Sequence, residues 1–486
     1  MSIAFIPVYL HILGIEIYGL IGFFLSVQAF FSIFDLGLSA TLNRELARHT
    51  HTGRISNADA IRDLVRTLEW VYWSLGFLIA ASIFAASSTI ATHWLKPVLL
   101  SSKHTAQAIG LMGLAAALQW PSGFYAGGFR GLERQIILNG LNATFATLRS
   151  AGAAGVLFYC SPTLEAFLLW QVTVNGLQTV ATGTGLWRLL PKGSRTPTFR
   201  RECLKGIRGF ALGMTGIIIL SFVLVQADRI ILSTLLPLNE FGYYTLAITV
   251  TAVLSSVVQP FFAALFPRYT SLVAAGDQKK LIALYHESNQ LLAVGVATVA
   301  AVVGMFAEEI VLLWTHDAVI ATRSALLLTL LLVGTALNGL MNLPYALQLA
   351  YGWTRLALYQ NIVAVLVVVP AIYWLGQRYG GPGAAVVCIA LNLGYVTLGI
   401  PLMHRKLLPN EMWSWYRHDI LPPLIAASAT AGAARLVVPI IPEGLTGIVV
   451  LSGIGLATFC MACLWSPVAR VLIRQYLGTR LSSKPL

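Results

Sequence analysis

Long runs of Leu, Ile, Val, Ala, Phe and Gly recur along the chain, separated by short connections that hold most of the Lys and Arg. A helical run of about 20 such residues matches the roughly 30 Å hydrocarbon core of a bilayer. Fourteen runs stand out, near 2–13, 18–39, 68–93, 105–127, 137–160, 165–187, 209–236, 243–267, 287–312, 324–351, 357–377, 384–403, 420–441 and 445–465. Strands of a transmembrane barrel would instead alternate in hydrophobicity over about 10 residues. The pattern therefore predicts an all-α polytopic membrane protein with about 14 transmembrane helices. The run at 2–13 is short: twelve helical residues span about 18 Å, and Pro7 interrupts them. The expectation is that the natural protein starts further upstream and that this chain opens partway through its first helix.

Composition supports this class. Only 10% of the 486 residues are charged and 57% are hydrophobic, against about 25% charged in soluble domains, and mean hydropathy is +0.76. A soluble globule and a disordered chain are both excluded. A net charge of +13 would suggest nucleic acid in a soluble protein. Here its placement gives a different answer: 25 of the 32 Lys and Arg lie in connections on one side, four lie on the other, and Arg149, Arg229 and Arg435 lie within runs. Basic connections stay in the cytoplasm, so both termini are expected there, facing anionic membrane lipids, with no nucleic acid partner. The five cysteines lack disulfide or zinc spacing, and Cys460-x-x-Cys463 sits in an apolar run where packing is its expected role. No cleavable signal peptide opens the chain, and neither metal nor cofactor is called for.

The chain repeats. Glu16-Ile-Tyr-Gly19 precedes the second run and Glu240-Phe-Gly242 precedes the eighth. Arg44 follows Glu16 at the same interval as Arg268 follows Glu240. Gly131-Leu-Glu-Arg134 and Gly352-Trp-Thr-Arg355 recur likewise, and the step from Gly131 to Gly352 nearly equals that from Glu16 to Glu240. Six runs per half give both halves one topology, related by an axis along the membrane normal with a central cavity between them. The expected organisation is a six-helix bundle at 1–190, a basic linker at 191–206, a second six-helix bundle at 207–404, and an extra helix pair with a basic tail at 405–486.

The chain has no phosphate-binding P-loop, acidic metal-binding pair, zinc-protease motif or nucleophile elbow. The longest outward connections run to about eleven residues near 94–104 and 313–323, too short to house a catalytic site. An enzyme is not expected, and transport is. Ionisable groups at bilayer depth face a cavity or a partner. Arg149 lies mid-run and cannot release its proton, so it suits an anion or an ion pair with Asp228 or Asp35. Asp228 and Arg229 sit about 100° apart on one helix, one toward the cavity and one toward a neighbour. Asp35 reads as a cavity acid or as a structural acid at a helix end. Arg435 reads as a structural or lipid-head contact, Glu308 and Glu309 as a solvated rim, and the histidines as scattered connection residues with no proton relay. Gly209-x-x-x-Gly213 suggests close packing. Pro260 and Pro267 are expected to break or bend their helix.

The stretch Phe34-Asp-Leu-Gly-Leu-Ser-Ala-Thr-Leu-Asn-Arg-Glu-Leu-Ala-Arg48 resembles the second-helix exit of bacterial polysaccharide-export flippases. These are O-antigen-type lipid-linked oligosaccharide flippases of the multidrug/oligosaccharidyl-lipid/polysaccharide exporter superfamily. Residues 131–149, Ala227-Asp-Arg-Ile-Ile-Leu-Ser233 with Glu240-Phe-Gly-Tyr-Tyr244, and Pro267-Arg-Tyr269 are similar too. The resemblance spans most of the chain and is weakest after 405. It implies two six-helix bundles around a cavity lined with cations, and alternating access that carries an undecaprenyl-pyrophosphate-linked sugar unit outward across the inner membrane. A polysaccharide polymerase and glycosyltransferases would work beside it. On this reading Arg149 and Arg229 contact the head group, Asp228 poises Arg149 or the gate, Asp35 lines the cavity, and Arg44, Arg134, Arg268 and Arg355 gather the anion at the cytoplasmic mouth. The rivals are a cation-coupled multidrug antiporter, which needs an acid-lined cavity, and an integral-membrane glycosyltransferase or polymerase, which needs a larger outer domain.

Overall fold

A computed structural model describes residues 3–35, 37–51 and 58–470, without the side chains of 3, 32–33, 48–51, 203–218 and 221. The basic tail past 470 and the packing of Gly209-x-x-x-Gly213 lie outside the described residues. The secondary structure is helical: α1 (Ile6–Phe31), α2 (Leu38–His51), α3 (Ala58–Thr89), α4 (Ser102–Gly131), α5 (Gln135–Tyr159), α6 (Leu164–Leu189), α7 (Arg201–Leu235), α8 (Leu238–Ala274), α9 (Gln278–Met305), α10 (Ala307–Thr315), α11 (Ala318–Ala350), α12 (Arg355–Gly394), α13 (Ile400–Leu407), the turn α14 (Met412–Ser414), α15 (Leu421–Val437) and α16 (Gly444–Trp465). Each of the fourteen apolar runs overlaps a helix. Short polar residues start several of them: Thr163, Asp277 and Asp317 accept from backbone N–H groups in the first turns of α6, α9 and α11. Two long helices each contain two runs. Gly14 (φ +81°) interrupts α1 and Gly380 (φ +64°) interrupts α12, a left-handed backbone that glycine adopts without steric cost. Conversely α8 stays one helix through Pro260 and Pro267, so these prolines do not break it.

The chain divides into two compact units, Met1–Gly242 and Tyr243–Leu486. The first has a core of residues from α2, α3, α4 and α6, including Leu42, Val65, Phe124 and Phe129. Its repeat motifs meet inside this unit. A Cβ on Gly19 would lie 2.3 Å from the Leu238 carbonyl oxygen, and one on Gly242 would lie 2.4 Å from the Ile15 carbonyl oxygen. The contact is reciprocal, each glycine lying against the backbone of the other segment. Glu16 beside it is buried and accepts the N–H groups of Val98 (2.7 Å) and Leu99 (2.9 Å). Toward the basic end the linker is held on α3. Asp63, 1% exposed, pairs with Arg195 and with Arg200 (2.8 Å) and accepts the Thr198 N–H (2.8 Å). Asp59 accepts the Ser194 N–H at 2.9 Å.

In the second unit the C-terminal helices pack on α9 through Val294, Ala297, Ala427 and Ala462. Two expectations are corrected here. His286 and His404 are not connection residues. His286 lies on α9 with Nδ1 on Asp419 (2.5 Å) and Nε2 on Glu411 (2.9 Å), while buried His404 meets the Tyr285 hydroxyl at 3.3 Å. Glu309 is not a solvated rim, because α9 ends at Met305 and the new helix α10 turns Glu309 toward Arg435, with which it pairs. Arg435 therefore makes a structural contact, its guanidinium lying 5.4 Å from the Phe306 ring centre.

Asp63→Asn should loosen the linker. Arg195 and Arg200 are 39% and 50% exposed, so solvent screens the pairs and the loss is about 1–2 kcal/mol rather than the 3–5 of a fully buried pair. Limited trypsin digestion should cut at Arg195 and Arg200 several-fold faster than in the wild type. An unchanged cleavage rate would exclude this anchoring role.

Candidate functional site

Among the described residues eight helices are long and apolar enough to cross a membrane, and α4, α5 and α6 are not among them. These three are long enough, at 30, 25 and 26 residues. They are diluted by Gln119, Asn142, Arg149, Asn175 and Gln178.

Arg149 lies near the middle of α5 and is partly buried. Its guanidinium donates to Gln178 Oε1 on α6, and Gln178 Nε2 donates to Asn142 Oδ1 at 3.3 Å. Asn142 and Arg149 are two helical turns apart, so they share a helix face. Among the described residues no carboxylate lies within ion-pair distance of Arg149, and its buried Nε has no hydrogen-bond partner. The expected pairing with Asp228 or Asp35 is therefore not made, and Asp228 does not poise Arg149. Gln178 is a neutral amide already shared with Asn142, so it leaves the cation uncompensated. An unmet buried donor costs about 1–3 kcal/mol, more when charged. This cluster is donor-rich and suits an anion.

The other expected residues are separate. Asp35 binds its own helix entry, accepting the Ser39 hydroxyl at 2.9 Å and the Ser39 N–H at 3.3 Å. Asp228 Oδ1 accepts the Arg229 N–H at 2.8 Å. Arg229 is partly buried, with no carboxylate in ion-pair range among the described residues. Arg44 is exposed and pairs with Glu45 at 2.8 Å. In the first unit Arg134 is exposed before α5; in the second, Arg268 on α8 and Arg355 at the start of α12 are exposed.

Two cavities lie in the second unit. One, about 310 Å³, sits between α9, α11 and α15 and is walled mainly by apolar side chains such as Ala297, Val333 and Leu340, with Thr329 and Ser428 its hydroxyls. The other, about 50 Å³, is walled by Ser255, Gln259, Thr335, Asn338, Gly339 and Asn342. Sequence reasoning passed over these amides, and Gln178 and Asn142 with them, because none ionises. A signal was present: amides and hydroxyls at helical spacing in apolar runs, such as Ser255/Gln259, Asn338/Asn342 and Gln171/Asn175/Gln178.

Comparison with known proteins adds the relationship. A family model described as "Polysaccharide biosynthesis protein" matches residues 1–273, over half of the chain. A Shigella flexneri protein named "Putative O-antigen transporter" is 21% identical over 379 residues, covering 77% of this chain and 86% of that protein. Among solved structures, a lipid II flippase MurJ in an inward closed conformation aligns with a TM-score of 0.66 at 9% identity, covering 95% of this chain and 97% of that one. An inward-facing multidrug resistance MATE family transporter of the MOP superfamily aligns with a TM-score of 0.63 at 17% identity, covering 82% and 94%. At these identities the likeness establishes a shared fold.

Polar side chains exposed near the middle of membrane helices face water rather than lipid. Cysteines placed at Asn142 and at Asn338 in a cysteine-free background should therefore react with a membrane-impermeant maleimide in intact membranes. A cysteine at apolar, exposed Leu366 should stay unlabelled. Equal protection of all three would refute a wet face at either site.

Proposed function

Because the chain belongs to the polysaccharide biosynthesis protein family, and its fold is that of MOP-superfamily transporters, we propose that it is a flippase for an undecaprenyl-pyrophosphate-linked oligosaccharide. The cargo is an O-antigen or exopolysaccharide repeat unit, carried from the cytoplasmic to the periplasmic leaflet of the bacterial inner membrane by alternating access. The single observation that carries this reading is the guanidinium of Arg149, held mid-helix by a neutral amide with its Nε unpartnered. A sugar-pyrophosphate head is large, polar and anionic, and each unsatisfied polar group in hydrocarbon costs several kcal/mol. A hydrated groove with fixed arginines lowers that barrier while the lipid tail stays in the bilayer. Arg149 and Arg229 meet the pyrophosphate, with Asp228 and Asp35 shaping the path. Arg44, Arg134, Arg268 and Arg355 raise the local anion concentration at the cytoplasmic mouth. An inside-negative potential favours outward movement of an anion by about 2.3 kcal/mol per charge per 100 mV, so no nucleotide site is needed. The cation-antiporter reading has less support, since Arg149 lacks a compensating acid and the charge at its depth is positive.

The test is export of surface polysaccharide by Arg149→Ala and Arg149→Lys at matched protein level. Arg149→Ala should reduce export at least tenfold. Arg149→Lys should retain part of it, because an ammonium keeps the charge but lacks the forked donors that match a phosphate. Full export in both variants ends the head-group role. Extrusion of a cationic dye by the wild type in vesicles would favour the antiporter instead.

A further inference from the structure

The small cavity of the second unit carries chemistry that an anion site does not explain. Ser255 and Gln259 are one turn apart near the middle of α8; Thr335, Asn338 and Asn342 lie near the middle of α11. Ser255, Gln259 and Asn338 are exposed there, Thr335 and Asn342 partly so. The floor is Gly339, where a Cβ would come within 3.1 Å of Val258 on α8, so the two helices lie close and the polar groups stand above the seam. Part of the donor capacity of α11 is spent inside the protein. Asn338 Nδ2 donates to Asn392 Oδ1 (2.9 Å), whose own Nδ2 donates to the Cys388 carbonyl (2.9 Å). Asn342 Nδ2 donates to the Asn338 carbonyl (3.3 Å), and the Thr335 hydroxyl donates to the Leu331 carbonyl (2.8 Å). What the pocket offers is neutral and two-sided: the second N–H of each asparagine amide, the Gln259 amide and the Ser255 hydroxyl as donors, and the side-chain oxygens of the same residues and of Thr335 as acceptors. One turn further along both helices the polar stripe becomes aromatic: Phe262, shortly after Gln259, lies parallel to Tyr345, shortly after Asn342, with ring centres 6.3 Å apart, and Tyr345 is exposed.

We propose that this pocket and its aromatic neighbours bind the uncharged sugar residues of the cargo. Hydroxyl and acylamino groups both donate to and accept from these amides and hydroxyls, and the apolar C–H face of a sugar ring lies on Tyr345. No carboxylate lines the pocket, so a metal ion finds no compensating charge, and the polar rim excludes an acyl chain. A volume of about 50 Å³ admits a few hydroxyl-sized groups; the rest of the sugar lies along the exposed stripe. The assignment rests on the flippase reading and names a part of the cargo that Arg149 does not touch.

The experiment uses the purified full chain in lipid nanodiscs and three probes. They are the lipid-linked oligosaccharide pool extracted from the cells that make this protein, the oligosaccharide released from that pool by mild acid, and undecaprenyl pyrophosphate without sugar. The double variant Gln259→Leu/Asn342→Leu should lose at least tenfold in affinity for the sugar-bearing lipid and keep wild-type affinity for the sugarless lipid. Tyr345→Ala should follow it, while Tyr345→Phe retains binding. Released oligosaccharide should compete with the lipid-linked pool in the wild type and fail to compete in the double variant. Unchanged affinity of the double variant for the sugar-bearing lipid, or an equal loss for both lipids, overturns the sugar site and leaves the flippase reading standing. A wild type that binds none of the probes overturns the flippase reading, and this inference with it.

Discussion

An arginine side chain keeps its proton at any accessible pH, so a guanidinium placed at bilayer depth must meet oxygen atoms or water. The fate of each arginine in this chain follows from which of these it meets. Arg195 and Arg200 meet Asp63, and Arg435 meets Glu309 while lying over Phe306. Those cations are neutralised within the protein and tie one segment to another. Arg149 meets a neutral amide, and its Nε is left over. Folding has supplied the site with positive charge and withheld the acid that would cancel it. That arrangement is costly unless something negatively charged, or water, completes it. The same test separates structural from functional cations more sharply than depth alone, since Arg435 also lies within an apolar run.

Chemical polarity then divides the work between the two units, each considered by itself. In the first, protons point outward from the protein: the spare guanidinium N–H groups of Arg149 and the Nδ2 of Asn142, whose Oδ1 is taken by Gln178. In the second, part of the donor capacity of α11 goes to Asn392 and to backbone carbonyls, and neutral groups that both donate and accept remain. A pyrophosphate accepts only; a sugar hydroxyl donates and accepts. Under the proposed function the charged and neutral parts of the cargo have these two chemistries, whereas a simple cation or a purely apolar drug has neither. The polar side chains also explain why α4–α6 are less apolar than the eight other spans: the hydropathy they lack is the chemistry they carry.

Much of this was legible in the chain. Spans of about 20 apolar residues can hardly be anything but membrane helices, and the breaks inside α1 and α12 fall at Gly14 and Gly380, each between two apolar runs. The repeated pairing of a glutamate with a following glycine proved spatially meaningful, since Gly19 and Gly242 need their missing Cβ atoms for one reciprocal contact. What escaped reading were pairings between residues far apart in sequence. Nothing local links Glu309 to the distant Arg435, or His286 to the distant Asp419. Only the pairing of α15 with α10, and the packing of the segment Trp415–Ile420 before α15 on α9, brings them together. The end of α9 at Met305 mattered most there, because a helix continued to 312 would have aimed Glu309 elsewhere. The amides were invisible for another reason: sequence scans at depth look for charge, and a hydrogen-bonding site for a neutral ligand contains none.

Repetition of the fold without repetition of the chemistry is the last point these residues make. The steps that carry Glu16 to Glu240 and Gly131 to Gly352 place the counterpart of Arg149 on Pro-Ala-Ile-Tyr at 370–373, and that of Asn338 on Leu-Ala-Ala-Ala at 114–117. The glycines that set helix approach are kept in both halves; Arg149 and Asn338 have no charged or amide counterpart, while the same steps carry Gln259 and Asn342 to windows that hold Asp35 and Gln119. A pair of identical halves would present the same surface twice and suit a symmetric ligand. Here one half carries an uncompensated guanidinium and the other a cluster of neutral amides and hydroxyls. Under the proposed function the cargo has the same asymmetry, anionic where sugar joins lipid and neutral beyond, so each part finds its own chemistry in a different half.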